Sequence, residues 1–228
     1  MLLCRAIKKV EKQMNFYACE AIIQAFAKLN NSSIRYLLLR NPGDELPSKL
    51  EFGKDIDLLI HPNDIHTLQR KMQAIGFKKI KHPLRRDTKL YNINQFEMYI
   101  NKDGIYLDCN FEIVCRSLNK GEWIPLDATI QTSAWENMQQ RSNHGIIYNG
   151  LSYDDDFVCM VTRCLLDKRK FPKNYAHSLS MLLPLIDEDK VRQRLKTVFF
   201  SFSDVLFNNV KTQNYTSLFN DYLSYSNY

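Results

Sequence analysis

The segment 53–60 constrains this chain more than any other part, because it places two acidic residues at the start of an apolar run. Its composition predicts a β-strand, in which successive side chains point to opposite faces. Asp55 and Asp57 are therefore expected on one face, about 6–7 Å apart along the strand, while Ile56 and Leu58 enter the core. Two carboxylates held this close need a positive partner, and a hard divalent cation that carries substrate phosphates is the usual one. The segment predicts a metal-dependent enzyme acting on a phosphorylated substrate.

The composition is that of an ordinary globular protein, with 45% hydrophobic and 25% charged residues among 228. This length suits one domain or two small ones. No apolar run reaches the ~20 residues that span a bilayer, and the first residues lack a signal-peptide pattern. We therefore expect a cytoplasmic protein without a membrane span. None of the six cysteines belongs to a CxxC motif, which favours free thiols over disulfides or a zinc site.

The net charge of +6 is mild, and basic residues cluster at 78–82 and 84–86. Such clusters can meet phosphates or nucleic acid. No signature of a known nucleic-acid-binding module accompanies them, so we interpret them as solvated loops and expect no nucleic-acid partner.

The first half of the chain alternates between helical and strand patterns. Apolar spacing through Ala18, Ile22, Phe26 and Leu29 predicts a helix in the first thirty residues. The following predicted elements are a strand at Ile34–Leu39, a Pro- and Gly-containing loop at Asn41–Ser48, the acidic strand at Lys54–Ile60, a helix at Ile65–Ala74 with Asp64 as its N-cap, and a strand at Phe77–Ile80.

A β-hairpin is predicted next, because Asp103-Gly104 separates two alternating runs. The outgoing strand covers Gln95–Ile100 and the return strand Ile105–Ile113. On the return strand, Asp108 lies on a polar face that it shares with Tyr106, Asn110 and Glu112. Asp108 is thus a third acid on a core strand.

Beyond about residue 118 the pattern becomes mostly helical, with one short strand at Gly145–Tyr148. Asp154, Asp155 and Asp156 are interpreted as the start of a helix rather than as metal ligands. Further helices are predicted at Tyr175–Leu185, Val191–Phe199 and Val205–Phe207. The predicted fold class is α/β (α+β), a small mixed sheet flanked by helices, with a core at 1–118 and a mostly helical region at 119–228.

This order of elements, with its Asp-x-Asp strand and third Asp, resembles the core of the DNA polymerase β-like nucleotidyltransferase superfamily. It is more closely similar to the uncharacterised bacterial nucleotidyltransferases found with surface-polysaccharide genes. The matching segments are 37–40, 55–60, 76–77 and 106–108, together with 166–168 and 171–175 in the helical half.

The resemblance implies that Asp55 and Asp57 bind two Mg²⁺ (or Mn²⁺) ions with a nucleoside triphosphate such as ATP. It implies that Asp108 completes the site of the metal that activates the acceptor. The implied reaction moves a nucleoside monophosphate to an acceptor hydroxyl or phosphate, with a sugar or glycan intermediate of surface-polysaccharide biosynthesis as the suggested acceptor. The candidate nucleotide-binding residues are Arg40, Asn41, Lys49 and Lys54.

The chain departs from the family at the Gly-Ser pair that normally cradles phosphate after the first strand. Either Arg40-Asn41 or Gly43-Asp44 stands in that place. Two alternatives therefore stay open: an Asp-x-Asp glycosyltransferase that uses a nucleotide sugar, and an inactive domain that binds a nucleotide or a protein. Only one predicted strand precedes Asp55, which disfavours the glycosyltransferase. The sequence leaves the base, the acceptor and the oligomeric state open.

Overall fold

A seven-stranded mixed sheet forms the centre of the protein, in a computed structural model that describes residues 16–81, 96–117 and 122–218. Its strands are β1 (Tyr36–Leu38), β2 (Asp55–Ile60), β3 (Lys78–Ile80), β4 (Glu97–Ile100), β5 (Tyr106–Asn110), β8 (Gln139–Asn143) and β9 (Ile146–Gly150). A separate hairpin consists of β6 (Val114–Arg116) and β7 (Trp123–Pro125). The strand order across the sheet is β3-β4-β5-β2-β1-β9-β8, so the acidic strand β2 is central.

The pairing of the strands makes the sheet mixed. Strand β2 runs antiparallel to β1 and parallel to β5, while β4 and β5 form the predicted antiparallel hairpin. Strand β9 joins β1 in parallel through Leu38 and Gly150, and β8 pairs antiparallel with β9. The strands at 139–150 therefore extend the same sheet that carries the acidic residues.

Helices cover both faces of this sheet. They are α1 (Cys19–Asn30), α2 (Leu68–Ala74), α3 (Ala128–Glu136), α4 (Tyr153–Thr162), α5 (Lys173–Leu182), α6 (Glu188–Phe199) and α7 (Ser203–Lys211). Short 3₁₀ segments occur at Pro62–Thr67, Leu183–Leu185 and Phe200–Phe202, and a π-helical segment at Arg163–Lys168 continues α4. The predicted fold class, a mixed sheet flanked by helices with a helical C-terminal region, is confirmed.

The alternation of side chains along β2 separates two hydrophobic clusters. Ile56 and Leu58 point into the cluster beneath α1 and α2, where they meet Phe26. Leu59 points the other way, into the cluster beneath the C-terminal helices, and is also buried. Burial of each such side chain contributes roughly 1.5–3 kcal/mol. Asp55 and Asp57 lie on the Leu59 face, so the acidic residues face the C-terminal helices rather than open solvent.

The predicted capping function of Asp64 is wrong. His61 caps the 3₁₀ segment by accepting a hydrogen bond from Asn63 N–H (3.2 Å). Asp64 is instead buried and bound by Arg35 and Lys71. A buried carboxylate needs charged partners, and these two cations come from other parts of the chain. The α-helical part of the predicted helix is shortened to Leu68–Ala74.

Other expectations have mixed outcomes. The return strand of the hairpin ends at Asn110 rather than at Ile113. The five cysteines among the described residues are free thiols, as predicted. Among the described residues, no helix combines the length and the apolar character that crossing a bilayer requires. The helix predicted before residue 16, the basic cluster at 84–86 and the boundary at residue 118 lie outside the described residues, and the two-part division stays a prediction.

Candidate active site

The three predicted acids come together on one face of the sheet. Strands β2 and β5 are parallel and in register, with Asp57 directly opposite Asp108 and Asp55 opposite Tyr106. Asp55, Asp57 and Asp108 each offer a carboxylate oxygen, and these oxygens all lie within 4.8 Å of one another. Asp108 is fully buried, whereas the other two are partly exposed.

The chemistry of this donor set suits a hard divalent cation. Three carboxylates supply oxygen ligands, which Mg²⁺ and Mn²⁺ prefer over nitrogen or sulfur. Mg²⁺ usually takes one or two carboxylates and completes its shell with water and substrate phosphates. Asp55, Asp57 and Asp108 therefore fit such a cation, which would lower the cost of holding three like charges together.

Arg40 already forms an ion pair with Asp57. Its Nε donates to Oδ2 at 2.9 Å and its Nη2 to Oδ1 at 2.5 Å, and 16% of each side chain is exposed. This two-pronged geometry is the strong form of a charged hydrogen bond. Burial alone would lower the pKa of Arg40, but the neighbouring Asp57 raises it overall, so the guanidinium stays charged.

A cavity of about 230 Å³ opens in front of Asp55 and Asp57. The sheet supplies one wall, the loop after β1 a second and the C-terminal helices a third. The loop and helical residues that line it are Asn41, Pro42, Glu45, Leu46, Leu50, Lys54, Arg163, Lys168, Asn174 and Tyr175. The acidic residues thus meet a cavity that both halves of the chain enclose.

The helical wall of this cavity carries positive charge. Arg163 and Lys168 bound the π-helical segment, a form that is rare and often occurs at functional sites. Arg163 forms an ion pair with Asp167 (2.6 Å), whereas Lys168 is exposed and forms no ion pair among the described residues. Partial burial, together with Arg163 and Arg40, lowers the pKa of Lys168. Asp57 and Asp167 oppose this shift. Lys168 therefore adds to this wall a positive charge that forms no ion pair within the described parts of the chain.

Tyr175 lines the same cavity as Arg40 and Arg163. Burial raises the pKa of its hydroxyl, an effect that the nearby Arg40 and Arg163 oppose. A neutral hydroxyl in this position can donate a hydrogen bond to an anionic ligand.

The loop after β1 is fixed against α5 by two contacts. Gly43 N–H donates to Ser178 Oγ (2.8 Å), and Glu45 accepts from both Asn174 and Lys54 at 3.2 Å. Because Gly43 N–H is already used, the Gly43-Asp44 register does not offer it to a phosphate. The geometry favours Arg40-Asn41, which lines the cavity directly.

The predicted nucleotide-binding residues divide into two groups. Arg40, Asn41 and Lys54 line the cavity, whereas Lys49 is exposed and is not among the lining residues. Asn41 Oδ1 accepts from Leu46 N–H (3.0 Å), and its buried Nδ2 has no hydrogen-bond partner within the described parts of the chain. Asn41 therefore retains a side-chain donor, but this atom is buried and does not reach the cavity surface.

A second cavity of about 530 Å³ adjoins the first, and Arg40 and Asn41 border both. Its walls come from β8 and α5. Its lining includes neutral hydrogen-bonding side chains: Gln139, Gln140, Ser142, Asn143 and Ser178. The charge of Arg141 in its floor is paired with Asp156 at 2.8 Å. This cavity therefore offers amide and hydroxyl groups, together with the exposed carboxylate of Asp44, to a polar molecule beside Arg40.

No family model matches this chain, and no curated protein matches it. The solution structure of the antibiotic-resistance factor ANT(2'')-Ia is 12% identical over 84% of this chain and 94% of that one, with a TM-score of 0.45. The crystal structure of ANT(2'')-Ia in complex with adenylyl-2''-tobramycin is 12% identical over 85% and 95%, with a TM-score of 0.43. An antigenic nucleotidyltransferase-like protein from Paracoccidioides brasiliensis is 10% identical over 84% and 94%, with a TM-score of 0.41. All three TM-scores lie below 0.5, so these similarities assign no function to any residue of this chain.

Sequence reasoning missed most of the helical wall. It assigned no function to Arg163, Asn174 or Glu45, and it included Lys168 only in a segment that matches the family. No local pattern indicates the π-helical segment that places Arg163 and Lys168. A basic side chain at each end of a six-residue segment is too weak a signal to find them.

The run Asp154–Asp156 begins helix α4, as predicted, but the capping residue is Ser152. Its hydroxyl accepts from Asp155 N–H (3.1 Å). Asp155 is fully buried and forms an ion pair with Arg194 at 2.9 Å. Asp155 thus joins α4 to α6, whereas Asp156 joins α4 to strand β8 through Arg141. Neither belongs to the acidic group that could hold a metal.

Proposed function

We propose that this protein is a metal-dependent nucleotidyltransferase. The observation that carries the proposal is a group of three carboxylates, with oxygens within 4.8 Å of one another, of which Asp55 and Asp57 line a cavity. Arg163 and Lys168 line the same cavity. The carboxylates can bind a divalent cation, and the basic side chains can bind phosphates. A nucleoside triphosphate matches both, because its phosphates bind a divalent cation as well as basic side chains. The sequence resemblance points to the same reaction.

In this proposal, Asp55, Asp57 and Asp108 hold Mg²⁺ or Mn²⁺, which supplies Lewis-acid stabilisation of charge on the phosphates. The acceptor oxygen forms a bond to the α-phosphorus, the bond to the β-phosphate breaks, and pyrophosphate leaves. The hydroxyl proton passes to a carboxylate of the group. Lys168, Arg163 and the hydroxyl of Tyr175 bind the departing phosphates. This chemistry needs little from the protein beyond position and charge.

The acceptor is proposed to be a hydroxyl or phosphate of a sugar or glycan intermediate. The family resemblance to proteins of surface-polysaccharide gene clusters suggests this class. The larger cavity beside Arg40 and Asn41 supports it, because its neutral amide and hydroxyl side chains match the hydrogen-bonding groups of a sugar.

One observation favours a second candidate, a domain that binds a nucleotide or a protein without chemistry. Arg40 already neutralises Asp57, and a stable arginine in that place could replace the cation altogether. The glycosyltransferase alternative has less support. Strand β1 runs antiparallel to the acidic strand β2, so the described residues before Asp55 contain no parallel βαβ unit to bind a nucleotide.

Thermal unfolding with each common nucleoside triphosphate, with and without Mg²⁺, tests the proposal. A ligand that binds only the folded state raises the melting temperature. We expect one triphosphate to raise it only when Mg²⁺ is present, and we expect Asp108→Asn to abolish that shift. Asp108→Asn is suitable because it leaves the Arg40–Asp57 pair in place. Transfer of the labelled α-phosphate to sugars and sugar phosphates would then identify the acceptor.

Asp103→Asn is the matched control, since it removes an exposed carboxylate from the turn of the same hairpin. It should leave the nucleotide-dependent shift unchanged. A shift that needs no metal, or that survives in Asp108→Asn, would favour the domain without chemistry. A shift found only with nucleotide sugars would favour the glycosyltransferase.

A further inference from the structure

Arg40 donates hydrogen bonds to both carboxylate oxygens of Asp57, which is also one of the three proposed metal ligands. We propose that Arg40 is an exchangeable counter-ion, which neutralises Asp57 until a divalent cation arrives and then moves to the phosphates of the donor. This inference rests on the proposed metal site, and it assigns to Arg40 a function that the sequence motif does not describe. It makes the binding of metal and the binding of donor depend on each other.

The geometry makes Arg40 and the cation competitors. Both oxygens of Asp57 accept from the guanidinium, at 2.9 and 2.5 Å. The oxygens that would bind the cation on Asp55, Asp57 and Asp108 lie within 4.8 Å of one another, so the cation and the guanidinium would be close neighbours. Two positive charges at that separation repel strongly in a partly buried site. Arg40 therefore has to leave Asp57, or the cation binds weakly.

The two cavities beside Arg40 leave room for its side chain to move away from Asp57. Its side chain borders both the 230 Å³ cavity and the 530 Å³ cavity, so open space lies on two sides of it. The opposite wall carries Lys168, where a donor triphosphate is proposed to bind. An arginine that is released next to a phosphate gains an equivalent two-pronged partner. The charge of Arg40 is then compensated before and after the exchange.

Two consequences follow for binding. The cation alone binds weakly, because it has to displace Arg40 without a new partner for the guanidinium. The cation and the triphosphate together bind more tightly than either alone, and the coupling is reciprocal by thermodynamic linkage. Arg40 in this way prevents the carboxylate group from taking up free metal in the absence of donor.

Mn²⁺ binding to the full chain without nucleotide tests the exchange, with free Mn²⁺ followed by electron paramagnetic resonance. We expect Arg40→Gln to bind Mn²⁺ about tenfold more tightly than wild type, because it removes both the ion pair and the repulsion. Lys168→Gln is the matched control. It removes one positive charge from the same cavity without breaking an ion pair, and we expect a change below about threefold.

Arg40→Lys provides a second variant if Arg40→Gln does not fold. It keeps the charge but not the two-pronged contact, so we expect Mn²⁺ affinity between those of wild type and Arg40→Gln. Equal Mn²⁺ affinity in wild type and Arg40→Gln, or an equal gain in Lys168→Gln, would overturn the exchange while leaving the proposed function in place. No Mn²⁺ binding by any variant would overturn the metal site as well. Tighter Mn²⁺ binding by Arg40→Gln without any triphosphate-dependent thermal shift would retain the competition at Asp57. It would contradict both the movement of Arg40 to donor phosphates and the nucleotidyl transfer.

Discussion

Arg40 and Asp57 hold each other through two hydrogen bonds, although they lie seventeen positions apart in the chain. Arg40 follows the end of β1 and Asp57 lies within β2, and the antiparallel pairing of these strands brings the two side chains together. The contact sets the charge of the candidate site, because it neutralises one of three clustered carboxylates before any ligand binds.

The substitution Asp57→Asn should destabilise the fold. From the sequence alone, this substitution is expected to leave the fold intact, because it relieves repulsion between carboxylates. The ion pair with Arg40 reverses the expected effect on stability. A partly buried guanidinium would lose its charged partner, at a cost of about 1–3 kcal/mol. The free energy of unfolding in urea measures the cost.

Arg40→Gln with Asp57→Asn completes a double-mutant cycle for this pair. The double variant should be less unstable than the sum of the single variants, because neither charge is then left uncompensated. Additive costs would show that the pair contributes nothing to stability.

Lys168→Gln should weaken binding of the donor triphosphate about tenfold, the size of one charge-assisted hydrogen bond. The free energy of unfolding should change little, because Lys168 is exposed and forms no ion pair with any described residue. Lys170→Gln makes the same charge change two positions along, at an exposed residue that does not line the cavity. Nucleotide titration should separate the two variants, and equal losses would point to a general effect of charge.

Gly43→Ala should cost more stability than Gly53→Ala, although both glycines have positive φ values of 71° and 83°. The backbone strain of placing alanine there is about 1–2 kcal/mol in each case. A Cβ on Gly43 would also lie 3.0 Å from Cβ of Asn174, whereas a Cβ on Gly53 would meet nothing within 4 Å. The difference between the two unfolding free energies therefore measures the close approach of the loop to α5. Equal costs would show that the loop shifts freely.

Asp64 should give the protein part of its sensitivity to acid. Burial alone would raise the pKa of Asp64, but hydrogen bonds from Lys71 and Arg35 lower it from 3.8 to about 2. Because the pKa is lower in the folded state, the stabilisation is fully present above about pH 4. It is lost as the pH falls towards 2, and amounts to about 2 kcal/mol.

Asp64→Asn checks this expectation through the free energy of unfolding between pH 2 and pH 7. The variant should be less stable than wild type at pH 7, and its stability should fall less steeply between pH 4 and pH 2. If the free energy of unfolding falls equally steeply in both proteins below pH 4, other carboxylates cause the loss of stability in acid.

Local pattern was sufficient for the faces of the acidic strand and for the hairpin. The alternation in β2 predicted both the buried side of Ile56 and Leu58 and the shared face of Asp55 and Asp57. The Asp-Gly turn predicted the hairpin whose return strand carries Asp108. These features are encoded by residues close together in the chain, since strand periodicity and turn chemistry act over a few positions. That the return strand lies beside β2 was implied only by the family resemblance, and the parallel pairing of the two strands decides it.

The long-range contacts came only from the tertiary structure. Asp64 is of a residue type that often caps helices. In the structure it is buried instead, and it forms ion pairs with Arg35 and Lys71. Within the described parts of the chain, strand β8 joins the sheet through β9, and no signal in its polar residues predicts this pairing. Arg163 and Lys168 reach the site because the C-terminal helices pack over the face of the sheet that carries the acids. The sequence by itself determined which face of its strand each carboxylate occupies, because strand periodicity acts over a few positions. The parallel pairing of β2 with β5 then brought Asp57 opposite Asp108. The packing of distant elements decided which cations oppose them, because a charge selects its partner by distance in space and not by position in the chain.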